Sequence, residues 1–249
     1  MDVKRKIINL HNYIADMSRY HIQNWIERTS EFDGTKKFVL MFHHVEESPT
    51  KEFDEYTITV LGFMDLVDTL ISLDYEFCNV DDFIIGNGAK ILLTFDDVYD
   101  EVYIKVFPFL RKKGIPFVVF QTYDFLNKEG FLSTGMIKEM LHYDKFFLGT
   151  HTLSHCNLHE SKNYREEIIA PIEKFYNIFG RKPDMFAYPY GALITIDSRI
   201  IKCTKENYKY AFSTCRTYYR SVMGEKKYLI PRVNINESNY KFFLNCISK

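Results

Sequence analysis

The sequence predicts an α/β fold whose parallel strands close, or nearly close, into a barrel. Short apolar runs of strand length alternate with segments whose apolar residues recur at helical spacing, and polar clusters directly follow several of the apolar runs. Repeated βα units build parallel sheets, and barrel enzymes assemble their sites at the carboxyl ends of several strands. No GxGxxG or P-loop sequence follows any predicted strand, which disfavours an open doubly wound sheet as the alternative.

The chain has 249 residues, enough to bury a substantial core in one large domain. Its 32 lysines and arginines and 33 aspartates and glutamates give a formal net charge of -1, which excludes the simplest nucleic-acid and anionic-membrane binders. The five cysteines are widely spaced without a CxxC pair, and no apolar run is long enough to span a bilayer. With no secretory signal evident, we expect a cytoplasmic protein with reduced thiols.

The chain is predicted to begin with an N-terminal helical arm over 1–30, followed by one large domain over 31–249. Apolar residues at helical spacing predict the arm. The apolar run 38–42 predicts a buried strand, and Thr59 is a plausible N-cap for a helix that ends at Leu73.

The next elements continue the alternation. The apolar run 91–95 predicts a strand, and 100–113 predicts a helix that Pro108 bends, because proline lacks the N–H of a helical hydrogen bond. Gly114 is expected to end this helix, since glycine readily adopts the left-handed conformation of a C-terminal cap. A further strand follows over 116–120.

The second half of the chain repeats the pattern. In order, the predicted elements are a helix over 133–141, a strand over 146–149, a helix over 163–179 that Pro171 is expected to kink, a strand over 185–187, a helix over 197–206, and strands over 209–212 and 228–234.

The first polar cluster is Thr94-Phe95-Asp96-Asp97, in which two adjacent aspartates directly follow a predicted buried strand. Two anions at such a point are costly unless a cation or hydrogen-bond donors compensate them. From this cluster alone, a solvated turn with one helix-capping aspartate and a functional carboxylate pair both remain open.

The second cluster, 149–155, contains His151 and His155. On a helical turn this i, i+4 spacing places both imidazoles on one face, from which they reach a single ion. Surface histidines often share this spacing, and the absence of a glutamate after His151 excludes the HExxH protease motif. Two histidines and one carboxylate nevertheless form a three-ligand metal set, which leaves the second aspartate free to act as a base.

The third cluster is Phe186-Ala187-Tyr188-Pro189-Tyr190-Gly191, where proline and glycine follow a short strand. Such a turn can present a backbone N–H group to an anion. Taken alone, an ordinary turn is the preferred interpretation.

In order and spacing, the three clusters together resemble the polysaccharide deacetylases with a NodB homology domain, carbohydrate esterase family 4. Thr94 to Asp97 resembles the TFDD motif, 151–155 the H[ST]xxH motif and 189–191 the PYG turn, within a resemblance that covers about residues 37–235. The family fold is a distorted, incomplete (β/α)7 TIM-like barrel, in agreement with the alternation of strands and helices.

The resemblance implies that Asp97, His151 and His155 hold a divalent cation, zinc first, with cobalt, nickel and iron as alternatives. It makes Asp96 the general base and the backbone N–H of Tyr190 an oxyanion donor. The residues implied to bind the substrate are Tyr188, Pro189, Tyr190 and Gly191.

The sequence departs from the family pattern at several points. Val98 stands where glycine is common, so its φ must be negative or the turn strained. Ala187 stands where many members carry an arginine that orients the base. The usual Asp-Trp and late Leu-x-His motifs are not evident, and no histidine follows His159.

A subgroup that includes exopolysaccharide de-N-acetylases of biofilm systems carries a Tyr-His-x-Val-like motif on its first strand. The segment 41–45 resembles that motif, and His43 stands where the subgroup has the histidine that replaces the missing general acid. The neighbouring His44 is expected only to pack or to face solvent. Pro231-Arg232 resembles the late Pro-Arg of the same subgroup. The hypothesis that follows is that Arg232 replaces the absent arginine beside Asp96.

The resemblance predicts metal-dependent removal of an N-acetyl or similar small acyl group from an amino sugar, which is free, lipid-linked or polymeric. The alternatives are a catalytically inactive carbohydrate-binding relative, a deacylase of a non-carbohydrate amide, and an iron oxygenase with a 2-His-1-carboxylate set. The presence of all ligands and the base disfavours the inactive relative, and the βα pattern disfavours the oxygenase.

Overall fold

The computed structural model describes residues 37–48, 55–214 and 226–248. In chain order its strands are β1 (Lys37–Phe42), β2 (His44–Glu46), β3 (Thr57–Thr59), β4 (Glu76–Phe77), β5 (Lys90–Asp96), β6 (Phe117–Gln121), β7 (Phe146–Thr150), β8 (Met185–Ala187), β9 (Tyr210–Ser213), β10 (Ile230–Pro231) and β11 (Val233–Asn234).

The strands of the main sheet are parallel and lie in the order β10-β9-β8-β7-β6-β5-β1-β11. β10 pairs with β9 while β11 pairs with β1, and only Arg232 separates these two short strands. The segment therefore bridges the two ends of the sheet, which is nearly closed into a barrel. The predicted distorted, incomplete barrel is confirmed, but the single strand predicted over 228–234 is split in two, because the chain changes pairing partner at Arg232.

The helices are α1 (Val60–Ser72), α2 (Val80–Ile85), α3 (Phe107–Lys113), α4 (Thr134–Met140), α5 (Tyr164–Phe179), α6 (Ser198–Asn207) and α7 (Tyr240–Ile247). The predicted caps are confirmed: the Thr59 hydroxyl accepts a hydrogen bond from the Gly62 amide, and Gly114 ends α3 in the left-handed conformation. Across the described ranges, we find no helix with the length and apolar composition needed to traverse a bilayer.

The helix predicted over 100–113 differs from the structure in its first part. A π-helical turn over Val102–Val106 leads into α3, and the Phe107 amide donates to the Val102 carbonyl five residues earlier. Pro108 follows that turn and cannot donate a hydrogen bond, so the helix widens there. The sequence did not predict the short elements β2, β3, β4 and α2, nor α7, and the predicted arm over 1–30 lies outside the described residues.

Alternation along the strands separates two layers of core. Outward side chains, such as Phe95 and Phe117, pack against the surrounding helices, whereas inward ones, such as Leu92 and Val118, fill the barrel. Asp96 lies on the inward face because it follows Leu92 by an even number of residues. The barrel interior therefore turns polar at the carboxyl ends of its strands, where the side chains from the sequence motifs meet.

Candidate active site

Asp96 ends β5 and forms a buried ion pair with Arg232, which lies between β10 and β11. The two guanidinium nitrogens Nη1 and Nη2 donate to the carboxylate oxygens Oδ1 and Oδ2 at 2.6 Å each, and both residues are almost fully buried. This parallel two-point geometry fixes the orientation of the carboxylate as well as its charge. The structure thus places Arg232 beside Asp96, the position that the resemblance suggested for it.

The charges around Asp96 favour its ionised form. Burial raises the pKa of Asp96, but the neighbouring charges of Arg232 and His151, the Arg232 hydrogen bonds and His43 outweigh it and lower the pKa to about 2. Asp96 is therefore a carboxylate at neutral pH.

Asp97, His151 and His155 come together beside this pair. Oδ1 of Asp97 lies 3.1 Å from Nε2 of His155 and 3.7 Å from Nε2 of His151, and one ligand atom from each residue lies within 4.8 Å of the others. Oδ1 of Asp97 is buried and receives no hydrogen bond from any residue in the described ranges. A buried carboxylate oxygen beside two imidazole nitrogens is a donor set that can hold a divalent cation.

The carbonyl of Ala187 fixes the orientation of His151. Nδ1 of His151 lies 2.8 Å from this carbonyl oxygen and donates to it, which leaves Nε2 as the ring nitrogen that faces the two aspartates. Burial lowers the pKa of the second histidine, His155, and the nearby His151 lowers it further against Asp97 and Asp96. A neutral imidazole is the form that binds a cation.

The prediction that His151 and His155 share a helical turn is wrong. The chain from 151 to 155 is a loop, in which Thr152 and His155 both have left-handed backbones, with φ of 68° and 63°. The two rings nevertheless lie 4.9 Å apart between centroids, because the loop folds back on itself. The Thr152 hydroxyl stabilises this fold by accepting a hydrogen bond from the His155 amide.

The turn after β5 resolves the question raised by Val98. Among the described non-glycine residues, Asp97 has a left-handed backbone with φ of 56°, whereas Val98 does not. Val98 is fully buried in the core. The left-handed conformation is therefore adopted by Asp97, and aspartate tolerates it better than a β-branched residue such as valine would.

His43 directly follows β1. Because Phe42 pairs with Phe95, His43 and Asp96 occupy adjacent positions at the ends of neighbouring strands. Its Nδ1 atom is buried and has no hydrogen-bond partner in the described part of the chain, and its ring meets Tyr56 edge to face. Burial lowers the pKa of His43, although the two carboxylates oppose the shift.

The turn after β8 brings Tyr190 to the site but not Tyr188. Tyr190 has a left-handed backbone, its ring is exposed, and it meets the His155 ring edge to face at 5.3 Å. Tyr188 is 1% exposed, lies in the core and donates its hydroxyl to the Tyr228 carbonyl at 3.0 Å. The expectation that Tyr188 binds substrate through its side chain is therefore wrong, because strand alternation turns it outward.

Pro189 and Gly191 shape this turn without offering polar side chains to a ligand. Both are buried, and Gly191 has φ of 60°. A Cβ atom at Gly191 would lie 2.6 Å from the Thr214 backbone nitrogen, so a larger residue there would displace the turn.

Glu101, which the sequence analysis missed, holds the strand that follows His43. Its Oε1 atom accepts a hydrogen bond from the Val45 amide at 2.8 Å and lies 3.0 Å from Nδ1 of His44. The His44 ring also stacks on Tyr99, with 3.7 Å between centroids. These contacts explain His44 as a packing residue. The role of Glu101 was not predictable, because a glutamate on a helical segment gives no sequence signal of a distant contact.

The sequence model of the polysaccharide deacetylase family matches residues 85–224, which is more than half of the chain. The chain belongs to the polysaccharide deacetylase family. The matched range contains Asp96, Asp97, His151, His155 and Tyr190.

A named relative is similar to nearly the whole chain. A poly-beta-1,6-N-acetyl-D-glucosamine N-deacetylase of Staphylococcus aureus (strain MRSA252) is 27% identical over 268 residues, covering 93% of this chain and 90% of the relative. This similarity is not confined to the three motifs, because it covers most of both chains.

Solved structures from the family share the fold. A polysaccharide deacetylase from Bacillus cereus has a TM-score of 0.75 at 24% identity, covering 86% of this chain and 69% of that chain. IcaB from Ammonifex degensii has a TM-score of 0.70 at 21% identity, covering 87% of this chain and 99% of that chain. At these identities the likeness establishes the barrel fold.

Proposed function

We propose that this protein is a metal-dependent de-N-acetylase of an amino sugar within a polysaccharide. The proposal rests on one observation: two groups of functional residues lie together at one end of the barrel. One is the Asp96 carboxylate, ionised and oriented by Arg232. The other is the candidate cation site of Asp97, His151 and His155.

The residues of the candidate cation site, Asp97, His151 and His155, fit a divalent cation, with zinc first and cobalt, nickel and iron as alternatives. They supply one carboxylate and two imidazoles, and Oδ1 of Asp97 is buried with no hydrogen bond from the described residues. A cation bound there supplies Lewis acidity, which polarises an acyl carbonyl and makes water acidic enough for a carboxylate of low pKa to take its proton.

The side chains of the site divide the proton transfers between them. Asp96 takes a proton from the attacking water, and Arg232 fixes the orientation of the Asp96 carboxylate for this transfer. His43 delivers a proton to the leaving amine nitrogen. The proton that Asp96 takes from water moves on to His43, whose lowered pKa makes it a ready donor to the nitrogen as the C–N bond breaks. The acetic acid that forms loses its own proton to solvent. Each turnover therefore returns the site to its starting protonation state.

The turn after β8 is proposed to bind the acyl group. Tyr190 and Gly191 have left-handed backbones, and the Tyr190 ring contacts the His155 ring, so the turn lies beside the candidate cation site. The backbone N–H of Tyr190 is the proposed donor to the acyl oxygen. An N–H donor aimed at a developing oxyanion is worth about 3–4 kcal/mol in comparable sites. The exposed Tyr190 ring offers an apolar face to the sugar.

Acetate release from N-acetylated glucosamine oligomers tests the proposed function. We expect chelator-treated protein to release no acetate from β-1,6-linked oligomers, and re-addition of zinc to restore release. The β-1,6 linkage is the first choice because the relative from Staphylococcus aureus is named for that polymer. Release from a simple acetylated amine, but from no sugar, would contradict a carbohydrate substrate, and equal release with and without chelator would contradict metal dependence.

His43→Ala is expected to lower kcat for amide hydrolysis by about 10²–10⁴-fold, the usual contribution of general acid catalysis. The loss should shrink for an acetyl ester with a phenol leaving group, because a phenolate departs without being protonated. Steady-state kinetics on an N-acetyl sugar and on an aryl acetate measure both effects. An equal loss on the two substrates would assign His43 to a role other than proton donor.

A further inference from the structure

Glu167, on the first turns of α5, holds the loop that carries His155. Its carboxylate accepts two hydrogen bonds from Ser154: from the amide to Oε2 at 2.9 Å and from the hydroxyl to Oε1 at 2.8 Å. Its backbone carbonyl accepts a third, from the Leu153 amide at 3.0 Å. One glutamate therefore binds two consecutive residues of the loop, directly before the candidate ligand.

The loop needs such support because its backbone is strained. Thr152 and His155 flank the residues that Glu167 holds, and both adopt the left-handed conformation that side chains with a Cβ atom disfavour. On its other side the loop is held by the 3-10 turn after β6, where the amides of Tyr123 and Asp124 donate to the carbonyls of Thr152 and Leu153. Without the Glu167 side chain, the loop would lose both hydrogen bonds that hold Ser154 to α5.

The strain has a direct consequence for the candidate cation site. Nε2 of His155 lies 3.1 Å from Oδ1 of Asp97, and His155 holds this position with a left-handed backbone. Asp97 and His151 follow the ends of rigid strands, whereas His155 extends from the loop. His155 is therefore the ligand whose position depends most on contacts outside the barrel.

We propose that Glu167 is a positioning residue that holds His155 ready to bind the cation through its hydrogen bonds to Ser154. The inference rests on the proposed function, because it assigns Glu167 a part in forming the same cation site. Preorganisation of this kind lowers the ordering cost of cation binding. The hydrogen bonds, rather than the negative charge, carry the effect: glutamine can accept from the Ser154 amide and donate to its hydroxyl.

Zinc affinity of the metal-free full chain, measured by competition with a chromogenic chelator, tests the inference without using activity. Glu167→Ala is expected to weaken zinc affinity by about 10–100-fold, the usual effect of removing an outer partner of a metal ligand. Glu167→Gln should retain nearly all of the affinity. The matched control is Glu166→Ala, an exposed glutamate on the same turn of the same helix.

Three results would overturn the inference: wild-type affinity in Glu167→Ala, an equal loss in Glu166→Ala, or a loss in Glu167→Gln as large as that in Glu167→Ala. If Glu167→Ala does not fold, Ser154→Ala takes its place, because it deletes one of the two side-chain bonds. It should weaken zinc affinity by about 2–10-fold, and unchanged affinity would overturn the inference. A wild-type chain that binds no zinc contradicts the proposed cation site itself, whereas variants equal to a zinc-binding wild type contradict only the role of Glu167.

Discussion

Asp97→Ala is expected to abolish tight zinc binding and to lower acetate release by about three orders of magnitude or more. Asp97 supplies the carboxylate of the candidate ligand set, and its Oδ1 atom has no hydrogen-bond donor to satisfy it among the described residues. The two histidines alone offer too few ligands to hold a zinc ion tightly. The loss of rate follows because Lewis acidity contributes several kcal/mol to stabilising such a transition state.

Elemental analysis of the purified protein and the acetate assay measure the two effects of Asp97→Ala. Asp100→Ala is the matched control, because Asp100 lies in the same segment after β5 but outside the ligand set. Both zinc content and turnover of this control should equal those of the wild type. Full zinc content in Asp97→Ala would remove Asp97 from the cation site.

Arg232→Ala is expected to lower the free energy of unfolding by about 3–5 kcal/mol, as well as to reduce activity. Asp96 and Arg232 are both buried, and the guanidinium group provides two hydrogen bonds to the carboxylate. Truncating Arg232 leaves the Asp96 charge buried with little compensation, which is a severe cost. Urea unfolding followed by circular dichroism measures the change.

Two further variants separate the charge of Arg232 from its shape. Arg232→Lys keeps a positive charge but cannot form two parallel hydrogen bonds, so it should recover only part of the stability. The double variant Asp96→Asn, Arg232→Met removes both buried charges and should be more stable than Arg232→Ala. An Arg232→Ala protein as stable as the wild type would contradict the buried ion pair.

The barrel was predictable because its strands and helix ends depend on local chemistry. The run 91–95 is apolar except for Thr94, because both faces of β5 are covered, and the hydroxyl of Thr94 donates to a backbone carbonyl of β1. The chain turns charged immediately afterwards at Asp96. Thr59 and Gly114 mark helix ends through interactions within one turn of the chain. Short elements such as α2 give too few residues to establish a period, which explains why they were missed.

The parts of the site that the sequence did not predict depend on contacts between distant segments. His151 and His155 have helical spacing, but tertiary hydrogen bonds hold their loop in a non-helical form. Glu101 and Glu167 act on the histidine-bearing segments from outside the barrel, and neither stands in a recognisable motif. Tyr188 points outward because it continues the alternation of β8. A strand of only three residues is too short for the sequence to show which of its residues face inward.

Replacing Asp96 by asparagine tests its proposed role as the base of a cation-assisted deacetylation. Acetate release from N-acetylated β-1,6-linked glucosamine oligomers is measured for zinc-loaded wild type and zinc-loaded Asp96→Asn. Asparagine keeps the size of the side chain but cannot take a proton, so we expect unchanged zinc content and a turnover lower by about 10²–10⁴-fold. An Asp96→Asn protein with wild-type turnover and full zinc content would exclude Asp96 as the base.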